Sequence, residues 1–191
     1  MRHRRKGRIL GRNPNHQRAL LRNLVIGLLM TERDADGESN APAVPGRIIT
    51  TIDKAKEVRP LVEKCVTLAR KAQKHLAAAA ALASPADRNT STWKQWRESD
   101  QWQQWNKAIS PALALRRRAL QLIGNKEAVS ILFNVIGPRF EDRDGGYTRI
   151  LRLSKPRLGD AGTRVILEFV GKNGRKRSKA VKPTVVDDSE E

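Results

Sequence analysis

LFNVIGPRFEDRDGGYTRILRL, residues 132–153, changes from helical to strand-like patterning and decides the fold class. Together with Val129, its first apolar residues recur at helical spacing: Leu132, Phe133 and Ile136. Gly137-Pro138 should end that helix, with the glycine in a left-handed conformation and the proline preventing continuation. Beyond Gly145-Gly146, the run YTRILRL is typical of a β-strand. The stretch therefore predicts a domain in which a helix leads directly into a sheet.

Two further strand-like runs accompany this one. RVILEFV (164–170) follows a turn-rich loop and alternates well, with Val165, Leu167 and Phe169 on one side. RIITTID is a short β-branched run around Ile48. Apolar stripes at helical spacing predict helices at 14–30, 53–72, 111–124 and 126–136. We therefore predict a compact mixed α/β domain in which a small sheet of about three strands packs on several helices.

Local signals set the expected helix boundaries. Asn13-Pro14 is a favourable start, with Asn as the N-cap and Pro at the first helical position, and Asn125 is expected to cap the helix at 126–136. Asp53 is expected to cap the second helix, and Pro60 should kink or restart it, because proline lacks the N–H that a helix interior requires. An alanine-rich run, HLAAAAALA, extends that helix toward Ser84-Pro85. Ser110-Pro111 is expected to begin a new helix.

All four tryptophans fall between Ser84 and Ser110, at positions Trp93, Trp96, Trp102 and Trp105. One continuous helix would place them as two pairs on nearly opposite faces, so a single apolar stripe requires a helix break around 98–100. Exposed tryptophans can stack on RNA bases. Alternatively, the pairs close a helical hairpin or meet a neighbouring protein, which is the interpretation that we favour.

Basic residues are concentrated in the terminal segments. The chain of 191 residues has a formal net charge of +18, of which residues 1–31 contribute +8 and residues 171–182 contribute +6. The first acidic residue is Glu32, so the N-terminal segment contains no partner for its own cations. This distribution is typical of a polyanion binder and favours nucleic acid over an anionic membrane surface.

Transit peptides and membrane-surface helices also have basic N-termini, but both agree less well with this sequence. An organellar transit peptide is usually rich in Ser, whereas no Ser precedes Ser39 and the basic stretch runs directly into a helical pattern. A membrane-surface helix would carry more basic residues than the two beside the Leu stripe of the first helix. No apolar stretch approaches the roughly 20 residues that cross a bilayer. We therefore expect a soluble, cytoplasmic protein.

The residue patterns of an enzyme are absent from the sequence. It contains no Gly-rich phosphate loop with Lys and Ser/Thr, no dinucleotide fingerprint and no HExxH. The single Cys65 excludes an internal disulfide and a multi-cysteine zinc site, and its spacing is that of a buried helical residue. The three His residues lie in the basic arm, at a helix start and beside the Ala run. We predict no catalytic residue, no metal site and no cofactor.

Four arginines surround the Gly145-Gly146 turn and Tyr147, namely Arg139, Arg143, Arg149 and Arg152. Planar guanidinium groups bind phosphate at two points, and Tyr can stack on a base or form a hydrogen bond. Glycines allow close approach of the backbone. The adjacent acids Glu141, Asp142 and Asp144 are equally compatible with a turn held by local arginine–carboxylate pairs. The residues alone leave both interpretations open.

Three segments together resemble one known family. The opening MRHRRKGRILGRNPNHQRALLRNL, the middle TTIDKAKEVRPLVEKCVTLAR and the block LFNVIGPRFEDRDGGYTRILRL look, in this order, like bacterial large-subunit ribosomal protein seventeen. The resemblance covers about residues 1–33, 47–72 and 112–170. It implies a structural component of the large ribosomal subunit, on a compact α/β fold, that binds large-subunit ribosomal RNA near the rim of the peptide exit tunnel. This sequence differs from the family pattern in a longer loop at 34–46, an insertion at about 73–110, a tail after about 171 and the presence of a proline at position 60.

The resemblance and the charge pattern together define the expected domains and RNA contacts. A basic arm (1–12) precedes a single α/β domain (13–170) that an inserted Ala/Trp-rich helical segment (73–110) interrupts, and a disordered basic-then-acidic tail (171–191) follows. The resemblance implies RNA contacts for Arg2, His3, Arg4, Arg5, Arg8, Arg12, Asn13, His16, Arg139 and the turn Gly145, Gly146, Tyr147 to Arg149. The charge pattern adds Lys6, Arg18, Arg22, Arg143 and Arg152.

The expected partners are large-subunit ribosomal RNA and neighbouring large-subunit ribosomal proteins, with no membrane and no small-molecule substrate. The alternative function is a free-standing RNA- or DNA-binding regulator, which would bind short duplexes or hairpins with a sequence preference. For residues 73–110 we expect a helical hairpin that contacts a neighbouring ribosomal protein or RNA and whose deletion leaves the core folded.

Overall fold

A three-stranded antiparallel sheet forms one layer of the fold. The computed structural model describes residues 7–11, 13–35 and 37–171. The strands are β1 (Arg47–Thr51), β2 (Thr148–Arg152) and β3 (Arg164–Phe169), in the order β1-β3-β2. Leu167 of the central strand lies opposite Ile48 on one side and Ile150 on the other. The three predicted strands and their small sheet are confirmed.

Part of the basic arm and nearly all of the tail lie outside the described residues. These are the arm residues Arg2, His3, Arg4, Arg5, Lys6 and Arg12, and the tail from residue 172 onward.

Helices form the second layer. They are α1 (Pro14–Met30), α2 (Ile52–Ala80), α3 (Ser91–Glu98), α4 (Asp100–Ile123), α5 (Lys126–Ile131) and α6 (Gly137–Arg139), with a π-helical turn, Leu132–Ile136, between α5 and α6. The long helix α2 is central, because it packs against α1, α4, α6 and all three strands. The predicted mixed α/β fold is therefore confirmed.

The buried face of α2 explains its central position. Its buried residues recur every three or four positions and are mostly small: Ala55, Val58, Val62, Cys65, Val66, Ala69 and Ala72. Small side chains allow neighbouring elements to approach closely, and their regular spacing keeps one continuous stripe against the core. At the sheet, Phe140 lies 5.2 Å from Tyr147 and 6.1 Å from Phe169 between ring centroids. This aromatic cluster joins the end of α6 to β2 and β3.

Two predicted helix starts are confirmed by their caps. The Asn13 side chain accepts a hydrogen bond from the Asn15 N–H at 2.8 Å, and α1 begins at Pro14 as expected. The Asn125 side chain accepts one from the Ala128 N–H at 2.9 Å at the start of α5. In both cases the side chain accepts a hydrogen bond from a backbone N–H that has no partner within the helix.

The expected helix end at Gly137 is wrong. Gly137 has helical angles, φ −54° and ψ −55°, and the helical path continues through Arg139. A Cβ atom on Gly137 would lie 2.4 Å from Nε2 of Gln73 and 3.4 Å from Cβ of Ala69, both on α2. Glycine is therefore needed here because two helices approach closely, and its capacity for a left-handed conformation is not used.

Neither internal proline begins a helix. α2 runs unbroken through Pro60, and α4 begins at Asp100 and runs through Pro111. Both prolines are exposed, whereas Val58, Val62 and Ala112 beside them are buried. Each proline removes one backbone donor, but it lies on the solvent-facing side of its helix while the opposite face stays packed. The predicted restart at Pro60 and start at Ser110-Pro111 are thus overridden by tertiary packing.

The predicted helix break near residues 98–100 is present. Ser99 has extended angles, φ −84° and ψ 162°, between α3 and α4. The break folds the tryptophans together, because the rings of Trp96 and Trp105 meet edge to face with centroids 5.6 Å apart. The Arg97 guanidinium lies 5.2 Å from the Trp93 ring and 5.9 Å from the Trp102 ring. The tryptophans thus close α3 onto the beginning of α4.

Candidate nucleic-acid interface

The described end of the basic arm is attached to α2. Arg8 forms an ion pair with Asp53, and its Nε lies 3.6 Å from Oε1 of Glu57. The expectation that Asp53 caps α2 is wrong, because Thr51 is the N-cap and Asp53 lies in the first helical turn. Its carboxylate binds the arm instead, where the partial positive charge of the helix N-terminus also favours it.

The first turns of α1 present basic side chains to solvent. Of the predicted residues, His16, Arg18 and Arg22 are exposed, and Asn13 is exposed while its side chain caps the helix. Arg22 makes a long hydrogen bond of 3.4 Å to the Gln121 carbonyl. In the described part of the chain, neither Arg18 nor Arg22 forms an ion pair with a carboxylate. Their charge is consequently not neutralised by this part of the protein.

Arg139 is held by a buried carboxylate. Its Nη1 and Nη2 each donate to one oxygen of Glu32 at 2.7 Å, and the Glu32 side chain is only 1% exposed. Gly46 packs on this carboxylate, since a Cβ there would lie 2.6 Å from Oε1 of Glu32. The pair fixes the loop after α1 to the end of α6, so both terminal nitrogens of Arg139 already have a protein acceptor.

Two further predicted residues have internal roles. Arg149 on β2 donates from Nε to Glu168, its cross-strand neighbour on β3, whose side chain is 1% exposed. Tyr147 is also 1% exposed, with its ring against Phe140. Its aromatic face is part of the core and does not offer a stacking surface for a base.

The turn at Gly145-Gly146 is held in place by a residue of α2. Arg70 binds the Asp144 carboxylate and donates to the Arg143 carbonyl at 3.2 Å. The hydrogen-bonded Asp144 carboxylate raises the pKa of Arg70 further, so this cation is permanent. Gly145 (φ +128°) and Gly146 (φ +62°) adopt angles that favour glycine, which lets the chain turn tightly. The turn is therefore held by an arginine–carboxylate pair, but the expectation of a local partner is wrong, because the partner of Asp144 comes from α2.

Arg143 and Arg152 remain available to an external ligand. Arg143 is exposed and donates from Nε to the Gly145 carbonyl at 3.0 Å, while Arg152 is exposed at the end of β2. Within the described ranges, no carboxylate pairs with either of them. They lie on either side of the turn, as the sequence pattern indicated.

Glu63 is a supporting residue that sequence reasoning missed. Its carboxylate on α2 accepts from the Tyr147 N–H at 3.0 Å, the Thr148 N–H at 2.9 Å and the Thr148 hydroxyl at 2.6 Å. These bonds hold the start of β2 next to the turn. No sequence spacing connects the partners, which are 84 and 85 residues apart. Glu32, Arg70 and Glu168 were missed for the same reason.

Metal-binding clusters and membrane spans are both absent from the described ranges. No group of three or more His, Cys, Asp or Glu side chains there is arranged to hold a metal ion. No helix among those residues is long and apolar enough to span a membrane.

Comparison with known proteins identifies the family. The family model described as Ribosomal protein L17 matches residues 20–170. The chain belongs to this family. Because the family is one of ribosomal proteins of the large subunit, the chain is a ribosomal protein and a structural constituent of that subunit.

Individual relatives carry the same family name. A protein of Rhodopirellula baltica named large ribosomal subunit protein bL17 is 58% identical over 191 residues, covering all of this chain and 91% of the relative. Proteins of the same name from Acidobacterium capsulatum and Koribacter versatilis are 35% and 36% identical over 171 residues, covering 90% of this chain and 73% of each relative. Because the match to the Rhodopirellula baltica protein covers the whole of this chain, it spans the segment 73–110 as well.

Proposed function

We propose that this L17-family protein binds large-subunit ribosomal RNA through its basic arm, the exposed start of α1 and the turn that follows α6. The observation that carries the proposal is the division of the arginines into two groups. Arg70, Arg139 and Arg149 are neutralised by carboxylates of the protein. Arg18, Arg22, Arg143 and Arg152 are exposed and lack such partners among the described residues.

The two groups have different physical roles. Glu32 and Glu168 are buried, so their pairs with Arg139 and Arg149 are costly to separate, whereas Asp144 is exposed and its pair with Arg70 is held mainly by geometry. Those arginines therefore organise the fold around the turn. The unpaired arginines can exchange water for phosphate oxygens at little cost, and each such contact releases counterions from the RNA. This release supplies a large part of the binding free energy.

The arm extends the same surface. Arg8 connects it to α2 through Asp53. Residues 1–12 contain no acid and are rich in Lys and Arg, and apart from Arg8, which Asp53 already neutralises, RNA phosphates can neutralise them. A thin basic segment enters crevices between RNA helices that a globular face cannot reach.

The place of binding within the subunit rests on the family resemblance. It indicates a position near the rim of the peptide exit tunnel, with other large-subunit proteins as neighbours, on ribosomes in the cytoplasm. The chemistry of the exposed groups agrees with RNA as the principal ligand, and nothing in the sequence suggests a reaction to catalyse.

Sedimentation tests the proposal in cells. Tagged full-length protein and a version lacking residues 2–12 are expressed separately, and lysates are run through sucrose gradients at high salt. We expect the full-length protein to travel with large subunits and the truncated protein to shift toward the top. If both remain at the top, the protein is not a stable subunit component and the proposal fails.

Salt dependence tests the exposed surface directly. The variant Arg18→Gln, Arg143→Gln, Arg152→Gln is compared with a charge-matched control, Arg88→Gln, Lys94→Gln, Lys107→Gln, on transcribed large-subunit ribosomal RNA. The slope of log K against log salt should become shallower by roughly 0.9 for each phosphate that the variant no longer neutralises. Only the first variant should show this change. An equal change in both would mean that binding follows net charge and not this surface.

A further inference from the structure

The face of the sheet that points away from α2 carries a row of aliphatic side chains. Ile49 of β1 and Leu151 of β2 both lie opposite Ile166 of the central strand β3. Side chains directly opposite one another on neighbouring strands project to the same face, with Cβ atoms about 5 Å apart. The three residues therefore form one continuous patch, which we call the outer sheet face.

The outer sheet face is exposed although its side chains are those of a core. Ile49 is 56% exposed and Leu151 41% exposed, whereas Leu167, the residue after Ile166 on β3, is fully buried. Leu167 points to the opposite face of the sheet, where α2 contacts all three strands. An antiparallel sheet with one solvated face normally alternates apolar and polar residues. A row of aliphatic residues across all three strands departs from that pattern, and a partner that covers the row removes apolar surface from water.

Arginines border the outer sheet face. Arg47, Arg149 and Arg164 each precede one of the aliphatic residues by two positions and so lie on the same face. Glu168 lies opposite both Arg47 and Arg149, is 1% exposed and neutralises Arg149. Within the described ranges, neither Arg47 nor Arg164 forms an ion pair with a carboxylate. The border of the face is therefore positively charged.

Two kinds of partner agree poorly with this arrangement. A second copy of the chain would bring the same positive border against itself, and the carboxylate of this face, Glu168, is already buried and paired. RNA would supply phosphates for the arginines but no aliphatic groups for the row between them. Proteins that read RNA with a β-sheet stack bases on aromatic side chains. Here the aromatic residues next to and within the strands, Tyr147 and Phe169, are buried against Phe140 instead.

The chemistry that fits the outer sheet face is that of a protein surface. We propose that this face binds a neighbouring protein of the large subunit, through a segment that presents aliphatic side chains to the apolar row and Asp or Glu side chains to Arg47 and Arg164. An apolar centre within a polar rim is the usual anatomy of a protein–protein interface. The inference goes beyond the proposed function, because neither the apolar row nor these two arginines belong to the proposed RNA surface.

Photocrosslinking in assembled subunits identifies what covers the face. The photoreactive amino acid p-benzoylphenylalanine replaces Ile49 in the full chain or, as a control, Leu158, which is 98% exposed in the loop between β2 and β3. Large subunits are purified and irradiated, and the crosslinked peptides or nucleotides are identified by mass spectrometry. We expect position 49 to join one protein segment that contains both aliphatic and acidic residues, and position 158 not to join it. Crosslinks of position 49 to RNA, to a second copy or to nothing would overturn the inference.

Binding in solution then tests whether the apolar row makes the contact. The crosslinked protein is titrated with the parent protein, with the variant Ile49→Gln, Leu151→Gln, and with the control variant Leu113→Gln, Val135→Gln. The control replaces aliphatic residues that are 39% and 41% exposed on helical parts of the chain. We expect the dissociation constant to rise on the order of tenfold for the first variant only. Equal weakening by both variants, or none by the first, would overturn the inference.

The salt dependence of the same titration tests the charged border. Arg47→Gln, Arg164→Gln should make binding of the crosslinked protein less sensitive to salt, because fewer opposite charges then meet across the interface. All variants should keep the circular dichroism spectrum of the parent protein, since the replaced side chains are at least partly exposed. An unchanged salt dependence would show that the partner presents no carboxylates to these arginines and would contradict the proposed chemistry.

Discussion

Glu32 and Arg139, 107 residues apart in the chain, form a two-point ion pair in which both nitrogen–oxygen distances are 2.7 Å. The Glu32 side chain is 1% exposed and that of Arg139 18% exposed. The pair joins the loop after α1 to the end of α6, next to the turn of the proposed RNA surface. An arginine to which the family resemblance assigned an RNA contact therefore stabilises the protein itself.

Removing the acid of this pair should destabilise the fold. Glu32→Ala leaves the Arg139 guanidinium partly buried without its partner, and we expect a loss of about 3–5 kcal/mol in the free energy of unfolding. Urea titration followed by circular dichroism measures it. Asp160→Ala, which breaks the exposed pair with Arg157, is the control and should leave the free energy of unfolding nearly unchanged, because solvent screens that pair. Similar losses in both variants would contradict a buried structural pair.

Gly137→Ala and Gly27→Ala should have opposite effects. Both glycines are helical, but a Cβ on Gly137 would meet Nε2 of Gln73 at 2.4 Å, whereas a Cβ on Gly27 would meet nothing within 4 Å. Gln73 cannot move freely, because it donates to the Phe133 carbonyl at 2.9 Å. We expect a loss of about 1–3 kcal/mol for Gly137→Ala and a gain of about 0.5–1 kcal/mol for Gly27→Ala. Thermal unfolding of both variants tests the expectation, and stabilisation by Gly137→Ala would refute the close helix contact.

Glu63→Ala should loosen the start of β2. The substitution leaves the Tyr147 and Thr148 amides without their acceptor, at about 1–3 kcal/mol for each buried group. We expect faster hydrogen exchange at these two amides than in the parent protein. Lys64→Ala, at the neighbouring exposed position of α2, should leave their exchange unchanged. Protected amides in Glu63→Ala would mean that water or another group replaces the carboxylate.

The free energy of unfolding should decrease at high pH because the Cys65 thiol is buried. Burial raises the pKa of its thiol from 9.0 to about 11, so the folded state holds this proton more tightly than the unfolded state. The stabilisation is therefore complete below pH 9 and is lost as the pH rises from 9 to 11, by about 1.4 kcal/mol per pH unit at most. Urea titrations at about pH 8 and about pH 10.5, on either side of the unfolded-state pKa, measure the decrease. Cys65→Ala should lack this part of the decrease, and an identical pH profile in both proteins would contradict the assignment.

The segment that contains α3, between the end of α2 and the start of α4, should be removable without unfolding the rest of the domain. Gln73 and Ala79 on α2 take part in the fold, because Gln73 bonds to Phe133 and Ala79 is buried. A deletion of 73–110 would remove these interactions, whereas replacing residues 82–98 with a short Gly-Ser linker would remove only α3 and its loops. We expect the shorter deletion to keep the helix content and cooperative unfolding of the remaining domain by circular dichroism. Loss of cooperativity would show that the tryptophans stabilise the core as well as the hairpin.

Local sequence patterns predicted the elements of this fold well. Apolar periodicity located α1 and α5, alternation located β3, and the side chains of Asn13 and Asn125 marked helix starts through bonds to residues two and three positions away. These features depend on interactions within a few residues, so the sequence contains all the partners. The restart predicted as one outcome at Pro60, the helix start at Ser110-Pro111 and the helix end at Gly137 were wrong, because packing between helices outweighed the local preference at each position.

The class of fold, the excess of positive charge, the family resemblance and the set of residues that could bind RNA all follow from the order of amino acids along the chain. Which of those residues are already paired within the protein follows from how the helices and strands pack. Arg139 and Arg149 meet Glu32 and Glu168 from other elements, whereas Arg143 and Arg152 meet no carboxylate among the described residues. The physical reason is that neutralisation of a charge depends on distance in space, and folding brings together groups up to 107 residues apart.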